Sequence, residues 1–192
     1  MAVREIMHVG NPVLRQRCRE LSAGELASPE MQQLIDDLVD TMRAAGGAGL
    51  AASQVGELVR VAVVEVVPNH PRYPYKAPIP LTVIVNPVIE PLDDQVEEIN
   101  EGCLSVPDMR GTVTRHMNVR VRHLDRTGEP QESVRRGLSA GTFQHELDHL
   151  DGVLFLDRVK DPSTFTNWAQ FDRFHREAFE ARARAIVARF GS

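Results

Sequence analysis

Gln144-His145-Glu146-Leu147-Asp148-His149-Leu150-Asp151-Gly152 is the stretch that decides the reading of this chain. Residues four apart share a helix face, one turn or about 6 Å along the axis, so His145 and His149 can reach one metal ion. Glu146 is turned aside from that pair yet stays close enough to exchange a proton with a water held there. Phe143, Leu147 and Leu150 supply an apolar side, which predicts a helix from about Ser139 to Asp151 with Gly152 at its end. About 0.02 occurrences of H-E-x-x-H are expected by chance in a chain of this composition.

Two imidazoles leave a metal site short of a protein ligand. A continuation to H-E-x-x-H-x-x-G-x-x-H would place a third histidine at position 155, which is Phe155. Glu177 is a carboxylate on a later segment, with nothing around it to recommend it. Cys103, in Glu101-Gly102-Cys103-Leu104-Ser105, is the strongest remaining donor, because a thiolate suits zinc or ferrous iron and Gly102 permits close approach of the backbone. A third segment, Gly47-Ala48-Gly49-Leu50-Ala51-Ala52-Ser53-Gln54, offers small residues along which a peptide backbone could lie, and the Gln54 amide as a donor.

Around these motifs the chain reads as α+β. An amphipathic N-terminal helix starts at Ser28-Pro29-Glu30, with a serine cap and proline where its missing amide costs nothing. Met31, Leu34, Ile35, Leu38, Val39 and Met42 form its apolar stripe, Asp36, Asp37 and Asp40 its expected solvated face, and Gly46-Gly47 its stop. Val59–Val67 and Leu81–Val85 read as buried strands, and Val119–Leu124 with the segment resuming at Glu132 as a hairpin turning at Asp125–Gly128. The five prolines between positions 68 and 80 exclude a helix and predict an ordered surface loop. A C-terminal helix is expected at about 165–190, with Trp168, Phe171 and Phe174 used for packing. Strands arriving in hairpins predict antiparallel sheets packed around the central metal-binding helix.

The 192 residues suit a single domain, residues 1–192. A net charge of −5 argues against a protein that coats DNA. The first residues lack an unbroken apolar run, and no uncharged run approaches the roughly 18 residues of a membrane span, so a cytoplasmic location without membrane contact is expected. Two cysteines, Cys18 and Cys103, are too few for a disulfide scaffold, and Cys18 reads as an unpaired thiol. His8, His70, His116, His123 and His175 are assigned to surface or packing roles.

The three motifs, in this order, resemble those of the peptide deformylases: G-x-G-L-A-A-x-Q over Gly47–Gln54, E-G-C-L-S over Glu101–Ser105, and Q-H-E-x-D-H-L-x-G over Gln144–Gly152. The opening His8–Arg15 is similar to that family's N-terminus, so the resemblance spans roughly residues 5–158. It implies removal of the formyl group from the N-terminal methionine of newly made polypeptides. Cys103, His145 and His149 would bind one divalent ion per chain, ferrous iron by preference, with zinc, nickel or cobalt able to substitute. Glu146 would act as general base and acid towards metal-held hydroxide, while the Gln54 side chain and Leu104 amide hold the carbonyl oxygen. Gly49 and Gly102 would pair with the substrate backbone, Arg110 would lie near the substrate chain, and Ala48, Ile99, Leu138, Gly141 and Thr142 would form the methionine pocket. The implied partners are N-formylmethionyl nascent peptides. Arg182, Arg184 and Arg189, with no acid after Glu180, suggest a weak ribosome contact through the basic C-terminal helix. Rival readings are a metallopeptidase of other specificity and an inactive relative that binds N-termini.

Overall fold

The computed structural model describes residues 2–192. Seven strands, β1 (Gly49–Ala51), β2 (Val61–Val66), β3 (Ile79–Pro91), β4 (Val96–Cys103), β5 (Val106–His116), β6 (Asn118–Leu124) and β7 (Pro130–Arg136), combine with five helices. The helices are α1 (Ala23–Leu26), α2 (Pro29–Ala44), α3 (Gly137–Leu150), α4 (Trp168–Phe174) and α5 (Arg176–Phe190). A five-stranded sheet runs β1-β2-β3-β6-β7, and β4-β5 form a separate two-stranded sheet. Every pairing between these strands is antiparallel.

The alternation along β2 explains the layering. Val61 and Val63 face Leu34, Ile35, Leu38 and Met42 of α2, while Ala62, Val64 and Val66 face Phe143, Leu147 and Leu150 of α3. A strand covered on both faces reads as a continuous valine run, because neither face can be polar. Ser28 caps α2 by accepting from the Met31 amide at 3.2 Å. Truncating Leu38, which is wholly buried, to alanine would cost about 2–5 kcal/mol through lost transfer and the cavity left behind. On the far side of α3 lie β5 and α5.

The strand expected at Leu81–Val85 is longer, running to Pro91 through an irregularity between Val85 and Val88, where Asn86 has a φ of 48°. Its side-chain carbonyl accepts from the Leu21 amide at 2.9 Å, tying the bulge to the chain entering α1. The β6–β7 hairpin turns where the Asp-Arg-Thr-Gly sequence places it, with Asp125 Oδ1 accepting from the Thr127 amide at 2.8 Å. Cys18 is buried and unpaired.

Two expectations need correction. Asp37 is not on a solvated face: it is 4% exposed and accepts from the Ala2 amide, Arg4 Nε and Gln33 Nε2. The C-terminal segment is two helices, broken at His175, and Phe174 is 62% exposed and does not pack in the core. The proline-rich loop is an ordered segment at the surface, as expected, and it also turns Arg72, Tyr73, Tyr75 and Lys76 into the cleft described below. No helix of the described residues is long and apolar enough to cross a membrane.

Candidate metal centre and cleft

Helix α3 presents both histidines on one face, their rings 5.1 Å apart and nearly perpendicular. Cys103, the last residue of β4, sets its Sγ 3.3 Å from His149 Nε2. One donor atom from each of Cys103, His145 and His149 lies within 4.8 Å of the others, close enough for a single ion to meet all three. Glu177 is exposed on α5, away from this cluster. Burial and the neighbouring His145 pull the His149 imidazole well below its usual range, so it is neutral and offers a lone pair. Burial acts on His145 in the same direction, but contact with Cys103 and Glu101 outweighs it and holds that ring well above its usual range.

The orientation of His145 comes from a charged layer behind it. His145 Nδ1 meets Glu101 Oε2 at 2.8 Å, and because a carboxylate only accepts, the imidazole donates and turns Nε2 towards Cys103. Arg115 grips the same carboxylate with Nε and Nη2 at 2.8 and 2.9 Å, and reaches Asp148 with Nη1 at 2.6 Å. Arg158 closes the chain onto Asp148. Burial alone would raise the Glu101 carboxyl; the Arg115 fork and the His145 bond reverse this and keep it far below the usual carboxylate range. In the sequence Glu101 and Asp148 stand only as motif letters, and Arg115 carries no motif at all. Their signal is faint, since an arginine in a strand normally reads as a solvated side chain.

Glu146 sits beside this cluster with Oε2 buried and without a hydrogen-bond partner. Burial pushes its carboxyl up to about 7, against the opposing influence of His145 and Lys76. A base near neutrality, aimed into a cavity, is what proton transfer requires. β1 crosses directly over it: a Cβ at Gly49 would overlap the Glu146 carboxyl, so the close approach depends on glycine.

Gln54 is held by both ends. Its Oε1 accepts from the Ala51 amide at 2.8 Å, and its Nε2 donates to Ser105 Oγ at 3.0 Å and lies 3.5 Å from Cys103 Sγ. Leu104 occupies the turn between β4 and β5 next to it. The N-terminal segment laces these loops together through Met7 N–Gln54 O and Val9 N–Ser105 O, both 2.7 Å.

Every site residue expected from the sequence, except the enclosed His149, lines one cavity of ≈ 80 Å³. Ala48 and Gly49 come from β1 and the chain just before it, Ile99 and Gly102 from β4, and Leu138, Gly141 and Thr142 from α3. β1 is the edge of its sheet and β4 pairs only with β5, so two strand edges flank the cavity. Gly141 leaves room for Ile99, whose Cδ1 would lie 2.8 Å from a Cβ there and would have to swing aside. Arg110 lines the cavity too, but its Nε and Nη2 are bound to Asn100 and its guanidinium is stacked 4.3 Å from both Trp168 and Phe171. Unforeseen in the sequence are Arg72, Tyr73, Tyr75 and Lys76 of the proline-rich loop, together with Trp168 and Phe179.

Comparison with known proteins agrees with this geometry. The family model described as polypeptide deformylase matches residues 3–165. The chain is 42% identical over 165 residues to a peptide deformylase of Leptospira biflexa, covering 86% of this chain and 92% of that one. It is 45% identical over 163 residues to peptide deformylase 1 of Corynebacterium glutamicum, covering 85% and 90%. Among solved structures, the Met-Ala-Ser-bound class I type b peptide deformylase of Acinetobacter baumannii superposes with a TM-score of 0.79 at 40% identity, covering 82% of this chain and 99% of that one. The actinonin complex of the Synechococcus elongatus enzyme gives 0.74 at 34%, covering 94% and 88%. With its family model matched over most of its length, this chain belongs to the polypeptide deformylase family.

Proposed function

We propose that this chain is a metal-dependent hydrolase that removes the N-formyl group from the N-terminal methionine of new polypeptides, releasing formate. The observation that carries this reading is the meeting of a Cys-His-His donor set with an unpartnered buried carboxyl and a buried carboxamide in one cavity.

The donor set fits a divalent ion. It offers a thiol and two imidazoles, one neutral and one with its far nitrogen already committed to Glu101. We assign the ligands as Cys103, His145 and His149 and the ion as ferrous iron, a choice compatible with these donors, as zinc, nickel and cobalt also are. Such an ion would lower the pKa of a water and polarise the formyl oxygen. Glu146 then takes the proton of the attacking water on its buried carboxylate and returns it to the leaving amine. The Gln54 Nε2 amide and the Leu104 amide steady the carbonyl oxygen as charge builds, each such donor typically contributing about 3–4 kcal/mol. The edges of β1 at Gly49 and β4 at Gly102 receive the peptide backbone, in the manner of an added strand. A formyl carbon bears only hydrogen, so a cavity this narrow excludes acetyl groups sterically.

The test is formate release from a formyl-methionyl tripeptide by anaerobically purified protein. Release that stops with a chelator and returns with ferrous or cobalt ion is the expected result. Cleavage of casein without formate release would instead identify a metallopeptidase, and binding without turnover an inactive relative.

The reading includes a weak ribosome contact through α5. Its arginines are exposed and sit in surface pairs, Arg182 and Arg189 with Glu97 and Arg184 with Glu180, which contribute only about 0–1 kcal/mol and can exchange for phosphates. Removing α5 would strip Ala183 and Ile186 from the core, so the suitable variant is a charge reversal of the three arginines. Unchanged co-sedimentation with ribosomes would end this part of the reading.

A further inference from the structure

The loop between β2 and β3 brings a cation into the pocket that the family resemblance assigns to methionine. Lys76 Nζ donates to Thr142 Oγ1 at 2.8 Å. Thr142 lies three and four residues before His145 and Glu146, so all three share one face of α3 and the ammonium stands about one helical turn from the catalytic carboxyl. The same ammonium lies 4.9 Å over the Tyr73 ring. Thr142 spends its own hydroxyl proton on Leu138 O at 3.0 Å. Among the described residues, Thr142 Oγ1 is therefore the one hydrogen-bond acceptor the structure gives a group with three donors. Burial draws its pKa down to about 8, which leaves it protonated at neutral pH.

The loop holding Lys76 is anchored along its length. The Tyr73 amide donates to His70 O at 3.1 Å, and the Lys76 amide to Tyr73 O at 3.0 Å. His70 stacks on Tyr73, Tyr75 meets Phe179 edge-on at 5.1 Å, and Arg72 lies 4.8 Å over Trp168. Tyr75 also packs against the cluster containing Ile99 and Leu138, the apolar residues of the same pocket. Lys76 is thus part of a built wall.

Resting on the deformylase reading above, we propose that Lys76 is a specificity-determining residue. Its ammonium, positioned by Thr142, reads the far part of the substrate's first side chain and favours a chain of methionine length that carries a neutral oxygen acceptor at its δ position. Methionine sulfoxide is the length-matched member of that class. A carboxylate is disfavoured because Glu146 and Glu101 already line the cavity. The thioether of methionine is a weak acceptor and norleucine is none, so the order is sulfoxide, methionine, norleucine. A pocket with a buried donor rejects the analogue that leaves it unpaired.

The experiment compares kcat/KM for three formyl tripeptides beginning with methionine sulfoxide, methionine or norleucine, in the metal-loaded full chain and in Lys76→Met and Lys76→Arg. Because each ratio is taken within one protein, it does not depend on the fraction correctly folded. The expected result is a sulfoxide-to-norleucine preference that falls about 10-fold or more in Lys76→Met, the size of a hydrogen bond from a charged donor, and persists in Lys76→Arg. A ratio unchanged by Lys76→Met would overturn the proposal. So would an equal rise for all three peptides, which would show that the lysine merely obstructs the pocket. Formate release from none of them by the unaltered chain would overturn the deformylase reading and this inference with it.

Discussion

His145 donates its Nδ1 proton to Glu101 across 2.8 Å, and the same carboxylate is held in a two-pronged grip by Arg115. The histidine that faces Cys103 and His149 is thereby fixed in direction by a residue two positions before that cysteine. β4 thus supplies both a donor and the group that aims another donor. Replacing Glu101 with glutamine keeps the shape and removes the charge. Metal affinity is expected to fall about 10–100-fold, the usual effect of losing such a partner. A chelator competition titration reads it directly, and an unchanged affinity would show that the ring needs no help from Glu101.

Arg115 is 2% exposed and Glu101 9%. Removing the guanidinium in Arg115→Leu strands a buried carboxylate, which costs about 3–5 kcal/mol. Denaturant unfolding is expected to show that loss at neutral pH. A loss below about 1 kcal/mol would mean that water reaches Glu101 once the arginine is gone.

Gly49→Ala tests the approach of β1 to Glu146. The added methyl overlaps the carboxyl, so either the strand or the base must shift, at about 1–3 kcal/mol of stability. Formate release should fall steeply while metal content stays near that of the unaltered chain. Full activity would show that Glu146 has room the packing does not reveal.

How much was legible in the sequence follows from the range of the interactions. The pairing of His145 with His149 was legible because helical spacing alone puts them on one face. Cys103 and Gln54 were legible as members of ordered motifs. β4 and β5 were not, because Val96-Glu97-Glu98-Ile99-Asn100-Glu101-Gly102-Cys103 has polar residues where a half-buried strand would alternate; its acids serve Arg115, Arg182 and Arg189 instead. Asp37 was misjudged for a similar reason. Its place on the helix is set by local spacing, but its partners Ala2 and Arg4 lie more than thirty residues away. The proline content of residues 68–80 excluded a helix without revealing that Lys76 turns inward.

Asp37 also makes a pH prediction. Burial would raise its carboxyl, but the Ala2 amide, Gln33 and Arg4 outweigh that and hold it below the usual range. A depressed folded-state pKa means stability that is present above the unfolded value of about 3.9 and lost as pH falls through the folded value. Asp37→Asn is expected to be about 1–2 kcal/mol less stable at pH 7, a figure reduced because Arg4 is one-third exposed. The gap should close as the pH falls below about 4. Denaturation curves at pH 7 and pH 3 check it, and a gap that stays constant would remove Asp37 from the acid limb.

The most direct measurement of the proposed chemistry is made on Glu146→Ala, with metal content and formate release determined on the same anaerobic sample. Cys103, His145 and His149 are untouched, so metal is expected at about the level of the unaltered chain, while turnover falls at least about 10²–10⁴-fold, the contribution of a positioned general base and acid. A variant that keeps its metal and still releases formate at the original rate would contradict the assignment of Glu146 and the mechanism built on it.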